Sequence, residues 1–151
     1  MKNKKNIKVG ITIGDINGIG PEITLKALRD ERILSSFTPI IYGSQKALSY
    51  YIQKMELEDL AVVSVQSPEK IKPHKINVIE ALDEEVQVEE GKESHNAGKL
   101  AIASLEMAAK DISTGLIDVI VTAPISKSVC QKAGFNFPGH TEYFSSLSNG
   151  A

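Results

Sequence analysis

The chain has 151 residues and a formal net charge of -2, with a pI near 5.9. This balance gives no electrostatic footprint for nucleic acid, and every apolar run falls short of the roughly 20 residues that span a bilayer. We therefore expect a cytoplasmic protein that binds neither nucleic acid nor a membrane. The single cysteine, Cys130, excludes an internal disulfide and is predicted to be a small buried side chain rather than a nucleophile.

The first half of the chain alternates predicted strands and helices. An apolar run at residues 8–13 ends in a glycine-rich loop at 14–20, and a helix begins at Pro21, where proline is tolerated. Three residues are predicted to form the apolar face of that helix: Ile23, Ala27 and Leu28. Further strands are predicted at residues 39–42, 60–65 and 75–79, and a further helix at residues 45–54.

The second half contains an acidic segment and the longest predicted helix. Residues 81–91 are predicted to be an exposed edge segment with a solvated face, which we favour over a metal site. The alanine-rich helix at residues 94–113 carries small residues for close packing. Alternating strands and helices without an internal repeat predict one α/β layer structure.

A short strand at residues 118–122 leads into the first candidate site. It ends in a proline-containing turn, after which Ser126 opens a helix and Lys127 lies in its first turn. A cation is unfavourable at a helix N-terminus, so an anionic ligand would offset this placement. The alternative is a lysine that extends into solvent, and position alone does not decide between the two.

A second polar cluster follows another Pro-Gly turn and consists of His140, Thr141 and Glu142. His140 lies in a predicted turn rather than on an apolar face, so a substrate contact is slightly favoured over an exposed loop histidine. Ligands of open α/β sheets lie at the carboxyl ends of parallel strands. We therefore predict that the Lys127 turn and the His140 turn face one cleft.

The glycine-rich loop at residues 14–20 leaves two interpretations open. Its glycine spacing fits neither the dinucleotide fingerprint nor the P-loop, so a structural tight turn is favoured over a phosphate cradle. Asp15 is a candidate either for binding a ribose hydroxyl or for capping the turn through its own backbone. No histidine pair has metal-ligand spacing, and no Gly-x-Ser-x-Gly motif signals a serine hydrolase.

Three motifs resemble the N-terminal part of the 4-hydroxythreonine-4-phosphate dehydrogenase family of pyridoxal phosphate biosynthesis. They are the loop from Gly14 to Glu22, the Pro-x-x-Lys turn ending at Lys127, and Phe-Pro-Gly-His-Thr-Glu ending at Glu142. The resemblance covers essentially the whole chain. It implies a three-layer α/β/α subunit with a mostly parallel sheet, similar to isocitrate and isopropylmalate dehydrogenases, with two domains and a homodimeric assembly.

The resemblance also implies a reaction and site residues. His140 and Thr141 would bind the small phosphorylated hydroxy-amino acid, and Lys127 is a tentative catalytic residue. NAD or NADP would accept the hydride as the substrate hydroxyl is oxidised, and decarboxylation would follow. A divalent metal (Zn, Mg or Co) would be held by histidines downstream of Ala151, with no metal ligand in this chain.

These implications make the 151 residues a predicted fragment that lacks the C-terminal half and is inactive alone. The predicted activity of the whole protein is oxidation of 4-phosphooxy-L-threonine to 3-amino-2-oxopropyl phosphate. A related dehydrogenase of D-threonate or D-erythronate 4-phosphate is one alternative, because the motifs do not separate these substrates. A non-catalytic phosphate-binding or dimerisation module is an alternative of another class.

Overall fold

The computed structural model describes residues 6–135 and 140–149. Within them, five parallel strands form one sheet: β1 Lys8–Thr12, β2 Thr38–Gly43, β3 Val62–Ser64, β4 Ile76–Glu80 and β5 Val119–Thr122. Side by side, the strands follow the order β3-β4-β2-β1-β5. The sheet predicted from sequence is confirmed, with strand ends that differ by a residue or two.

Helices connect the strands. The described residues include α1 Gly20–Leu28, α2 Glu31–Ser36, α3 Gln45–Lys54, α4 His95–Ser113, α5 Lys127–Lys132 and α6 His140–Asn149. The serines that precede α3 and α4 accept hydrogen bonds from backbone amides of the first turn, at 3.2 and 3.3 Å, which explains where both helices begin. In the described part of the chain, no helix combines the length and apolar character needed to cross a bilayer.

The helices cover the two faces of the sheet separately. Leu25 of α1 and Leu48 of α3 pack with Val9 and Val78 on one face. On the other face, Ala108 of α4 packs with strand residues that include Ile40 and Tyr42. The architecture is therefore the predicted three-layer α/β/α sandwich.

A buried hydrogen bond fixes α4 to the centre of the sheet. The hydroxyl of Tyr42 in β2 donates to Oδ2 of Asp111 in α4 at 2.7 Å, and both residues are buried. Burial, reinforced by the hydrogen bond to the carboxylate, raises the pKa of Tyr42 above its ordinary value. The interaction pairs two polar groups that would each be unfavourable alone in the core.

Residues 81–91 differ from the sequence prediction. They form a loop rather than an edge of the sheet, and Val86 within them is buried in the core. Lys54 forms an ion pair with Glu90, and Lys99 lies 3.4 Å from Glu84. The alternation of valine with polar residues is typical of a strand. In this loop it has another cause: Val86 packs in the core, and acidic side chains on the outside form ion pairs with lysines of neighbouring helices.

Helix α1 buries only part of its predicted apolar face. Leu28 is buried as predicted, together with Leu25, whereas Ile23 and Ala27 are exposed. The predicted burial of these two residues is wrong for the described chain. Both lie beside the exposed Val121 of β5, and no described helix or strand packs over them. Helix α2 was not predicted from the sequence; its short length of six residues gives little periodic signal.

Candidate functional site

The winding of the chain changes direction between β1 and β5. The β1 strand connects through α1 and α2 to β2 on one side, whereas β4 connects through α4 to β5 on the other side of β1. Helices from these two connections lie on opposite faces of the sheet, and this topology is the one in which a ligand crevice is expected at the carboxyl ends of β1 and β5. Open parallel sheets bind ligands at this kind of position.

The glycine-rich loop and the turn after β5 are in direct contact at this crevice. Gly14 has a φ of +71°, and a Cβ built on it would lie 2.3 Å from the carbonyl oxygen of Pro124. The same oxygen accepts a hydrogen bond from the amide of Asp15 at 2.9 Å. Only glycine allows both the backbone conformation and this close approach.

The loop uses several of its polar groups to hold its own shape. The amide of Asn17 donates to Oδ1 of Asp15 at 3.0 Å, and the amide of Gly18 donates to the carbonyl of Asp15 at 3.1 Å. The side chain of Asn17 accepts from the amide of Glu89 at 2.6 Å and donates to the carbonyl of Lys92 at 3.2 Å. These bonds favour the structural tight turn over a phosphate cradle, with Asp15 capping its own turn.

The turn after β5 leads to Lys127 at the beginning of α5. Ser126 accepts a hydrogen bond from the amide of Val129 at 3.4 Å and so caps α5, as predicted. Lys127 is the first residue of this helix and is exposed. A free ammonium at a strand end would attract a phosphate or carboxylate. Its position agrees with the sequence analysis, while its role in binding or catalysis stays a prediction.

Helix α5 is held to the beginning of α4 by a carboxylate that sequence reasoning missed. Oε1 of Glu93 accepts from the hydroxyl of Ser128 at 2.7 Å, and Oε2 accepts from the ammonium of Lys132 at 3.2 Å. These bonds lower the pKa of Glu93. The spacing of four residues indicates from sequence that Ser128 and Lys132 share a helix face. It does not indicate that Glu93, far away in the chain, is their common partner.

Cys130 lies on the inner side of α5, as predicted. It is buried and packs with Phe135 and with residues of α4. Burial raises the pKa of its thiol, which disfavours the nucleophilic thiolate at neutral pH. This environment is that of a packing residue.

Helix α6 follows α5 on the same side of the sheet. Its Tyr143 ring lies 5.5 Å from the ring of Phe135, and both belong to the cluster that packs on α4. The backbone of His140 begins this helix, whereas the sequence analysis expected a turn. The side chains of His140 and Thr141 lie outside the described residues, so their convergence with Lys127 stays a prediction.

The other histidines occupy separate positions. Nδ1 of His74 lies 2.7 Å from the carbonyl oxygen of Leu34, and His95 is the first residue of α4. Among the side chains that the structure describes, no three from His, Cys, Asp or Glu are grouped closely enough to hold a metal ion. The described residues therefore do not fit a metal centre.

The carboxyl ends of β2 and β4 form a more acidic alternative to the crevice. A concavity of about 660 Å³ there is lined in part by four acidic residues, namely Glu80, Asp83, Glu84 and Glu85. Lys46 partly balances them through its ion pair with Glu85 at 3.0 Å. Because like charges repel, an anionic ligand is favoured at the β1–β5 end instead.

Comparison with known proteins gives the family of the chain. The model of the family described as pyridoxal phosphate biosynthetic protein PdxA matches residues 35–151. The chain belongs to this family. The resemblance on which the sequence analysis depended is thereby confirmed.

Two relatives of this PdxA chain are named for different activities. A 4-hydroxythreonine-4-phosphate dehydrogenase from Bacteroides thetaiotaomicron is 43% identical over 149 residues, which is 97% of this chain and 40% of the relative. A D-threonate 4-phosphate dehydrogenase from Bordetella bronchiseptica is 33% identical over 137 residues, covering 89% of this chain and 39% of the relative. The chain therefore spans about two fifths of the length of these relatives.

Solved structures support the same family assignment. A putative 4-hydroxythreonine-4-phosphate dehydrogenase from Salmonella typhimurium superimposes with a TM-score of 0.84 at 30% identity, covering 95% of this chain and 46% of that one. A 4-hydroxythreonine-4-phosphate dehydrogenase from Burkholderia phymatum gives a TM-score of 0.84 at 25% identity, covering 97% and 44%. The PdxA fold is thus present over nearly the whole described chain.

Proposed function

We propose that this PdxA chain is the N-terminal part of a two-domain dehydrogenase subunit and forms one wall of its active site. The single observation that supports the proposal is the contact between the Gly14 loop and the Pro124 turn at the carboxyl ends of β1 and β5, a turn that leads to the exposed Lys127. The names of the relatives supply the substrate class, a phosphorylated hydroxy acid. An anionic substrate matches a cationic residue at this position.

The proposed reaction is oxidation of 4-phosphooxy-L-threonine. The substrate loses hydride from C3 to the nicotinamide of NAD or NADP and a proton from the C3 hydroxyl, which gives a β-keto acid. Loss of carbon dioxide from that acid leaves an enolate, which takes up a proton at C2 to yield 3-amino-2-oxopropyl phosphate. A divalent metal would take its ligands from outside the described residues, as would most of the cofactor site.

The roles proposed for this chain are binding and positioning. Lys127 would attract an anionic group of the substrate, and His140 and Thr141 would donate hydrogen bonds to the bound molecule. The cap by Ser126 and the tether through Glu93 would keep α5, and thus Lys127, in a fixed position. Fixed polar groups reduce the entropic cost of orienting the substrate.

A second candidate substrate is D-threonate 4-phosphate or the related D-erythronate 4-phosphate. It is favoured by the Bordetella bronchiseptica relative and by a putative D-threonate 4-phosphate dehydrogenase from Cutibacterium acnes, 40% identical over 144 residues. The two classes of substrate share the phosphate and the secondary hydroxyl and differ at C2, which carries an amino or a hydroxyl group.

The test is an assay of the whole subunit for NADH or NADPH formation, with each phosphorylated acid in turn and with or without a chelator. Lys127→Met should lower kcat/KM by about tenfold to a hundredfold, the range for losing one charge-assisted hydrogen bond. His140→Ala should also lower kcat/KM, mainly through substrate affinity. Lys110→Met is the matched control, since Lys110 is an exposed lysine in the last turn of α4, where it lines a concavity with Pro68.

The outcomes separate the proposals. Turnover of 4-phosphooxy-L-threonine alone supports the first, and turnover of the threonate or erythronate compound alone supports the second. Absence of turnover with every compound, metal present, would contradict both. Unchanged kinetics in His140→Ala would remove His140 from the site.

A further inference from the structure

The five residues that lead into α4, residues 89–93, contact three separate parts of the molecule. The amide of Glu89 donates to Oδ1 of Asn17 at 2.6 Å, and the amide of Gly91 donates to the carbonyl oxygen of Asn17 at 2.8 Å. The carbonyl of Lys92 accepts from the side chain of Asn17 at 3.2 Å. Hydrogen bonds therefore join this segment, which we call the bridge, to one residue of the glycine-rich loop.

The other two residues of the bridge use their side chains to contact helices. The carboxylate of Glu90 accepts a hydrogen bond from the hydroxyl of Tyr50 in α3 at 2.6 Å and forms an ion pair with Lys54 of the same helix. The carboxylate of Glu93 accepts from Ser128 and Lys132 of α5. Every residue of the bridge thus has a partner in the glycine-rich loop, in α3 or in α5.

Asn17 is placed to hold the loop and not to contact a ligand. It is only 4% exposed, and both the oxygen and the nitrogen of its side-chain amide bond to the bridge. Breaking these bonds would leave buried polar groups unpaired, so they fix the backbone on both sides. The hydroxyl of Tyr51 in α3 also donates to the carbonyl of Ile16, which adds a second support to the loop.

Helix α5 depends on its neighbours for its position. It has six residues, and isolated helices of this length are not stable in water. Gly98 of α4 allows it to approach closely, since a Cβ there would lie 2.8 Å from Cγ1 of Val129. Glu93 is the residue after Lys92, so a shift of the glycine-rich loop reaches the carboxylate that holds α5 through one peptide unit.

We propose that Asn17 is a positioning residue, which sets the place of α5, and of Lys127 at its beginning, through the bridge and Glu93. The role of Lys127 as a ligand contact rests on the function proposed above. Together with the bond from the Asp15 amide to the Pro124 carbonyl, the bridge closes a ring of contacts between the loop after β1 and the helix after β5. This ring keeps the two sides of the proposed substrate site at a fixed separation, which reduces the entropic cost of orienting a bound molecule.

The first experiment compares two exposed glutamates by amide NMR of the 151-residue chain. Glu93→Ala removes the link between the bridge and α5. Glu84→Ala is the matched control, because Glu84 is an exposed partner of a helix lysine, Lys99, at 3.4 Å. Coupling between two sites is reciprocal, so Glu93→Ala should shift the amide signals of residues 15–18 as well as those of α5. The control should leave both groups of signals unchanged.

The second experiment substitutes the buried end of the link. Asn17→Ala should shift the amide signals of residues 127–132 and weaken the binding of inorganic phosphate by about threefold or more, as expected for indirect coupling within a protein. Asn77→Ala is the matched control, since Asn77 is also buried and its side chain bonds to the backbone of Lys72 and Lys75. A change that comes only from lower stability would appear in both variants.

Circular dichroism shows which variants fold. If Asn17→Ala does not fold, the comparison of Glu93→Ala with Glu84→Ala decides the question, because both glutamates are exposed. If it folds, the double variant shows whether the effect passes through Glu93. In the Glu93→Ala background, Asn17→Ala should no longer shift the α5 signals, since the route is already broken.

Four results would overturn the inference. They are α5 signals that do not respond to Asn17→Ala, α5 signals that respond equally in both backgrounds, equal phosphate binding by Asn17→Ala and the unmodified chain, and loop signals that respond no more to Glu93→Ala than to Glu84→Ala. None of these readouts involves catalysis. An unmodified chain that binds no phosphate at residues 126–129, with the predicted amide shifts present in the variants, would contradict the proposed function alone.

Discussion

Strands β2 and β5 have similar apolar sequences but different surroundings. All six residues of β2 are buried, whereas no residue of β5 is fully buried and two are exposed. The difference arises from position: β2 lies between β4 and β1 with helices on both faces, and β5 lies at the end of the described sheet. Both strands have compositions suited to burial, but only β2 is buried, and β5 is an open edge of the described sheet.

The same contrast applies to the chemistry of the strand ends. The ends of β2 and β4 carry an acidic loop held by ion pairs with lysines. The ends of β1 and β5 carry a glycine-rich turn and an exposed lysine, and the carboxylate of Asp15 there accepts a hydrogen bond from the backbone of its own loop. The open side of the described sheet is therefore also the side on which we propose that the substrate binds.

The largest expected effect concerns the contact that joins β1 to the open side. Gly14→Ala should destabilise the chain by about 3 kcal/mol or more, because it adds left-handed backbone strain to a clash with the carbonyl of Pro124. Gly115→Ala is the control, with a similar φ of +79° but nothing within 4 Å, and should cost about 1–2 kcal/mol. Urea unfolding measures both; equal losses would show that the Gly14–Pro124 contact contributes nothing.

A matched pair of valines tests the comparison of the two regions directly. Val78→Ala in the buried strand β4 should cost about 2 kcal/mol, since it removes fully buried methyl groups. Val121→Ala in β5 should change the free energy of unfolding by no more than about 0.5 kcal/mol, because Val121 is half-exposed. Thermal or urea unfolding gives both values, and similar losses would mean that the side chain of Val121 is covered in solution.

A smaller effect is expected at the buried tyrosine of the closed region. Tyr42→Phe removes the donor to Asp111 and should cost about 1.5 kcal/mol near neutral pH. Because the pKa of Tyr42 is raised in the folded chain, the unfolded chain ionises first as the pH rises past 10.0. The advantage of the unmodified chain over Tyr42→Phe should then shrink above that pH; a constant difference in unfolding free energy would contradict this.

Much of the fold followed from the sequence because its signals are local. The strand and helix around the Gly14 loop, the serine caps of α3 and α4, and the α5 turn at Ser126 all depend on neighbouring residues. The resemblance named the family correctly. The errors at residues 81–91 and at Ile23 arose where burial depends on distant elements, which periodicity does not report.

The candidate site was predicted in part for the same reason. The position of Lys127 could be predicted because the end of a strand and the cap of a helix are both signalled by neighbouring residues. The tether through Glu93 and the contact between the Gly14 loop and Pro124 join residues far apart in the chain, and no pattern of spacing shows them. The convergence of His140 and Thr141 on the same crevice stays a prediction.

The most direct test of where this chain binds its ligand is a titration followed by amide NMR. The isotope-labelled chain would be titrated with 4-phosphooxy-L-threonine and with inorganic phosphate, using sodium chloride of equal ionic strength as the reference. We predict that the amide chemical-shift changes are concentrated at the Gly14 loop and at residues 126–129. Shifts concentrated at residues 80–85, or shifts no different from those in sodium chloride, would contradict a ligand site between β1 and β5.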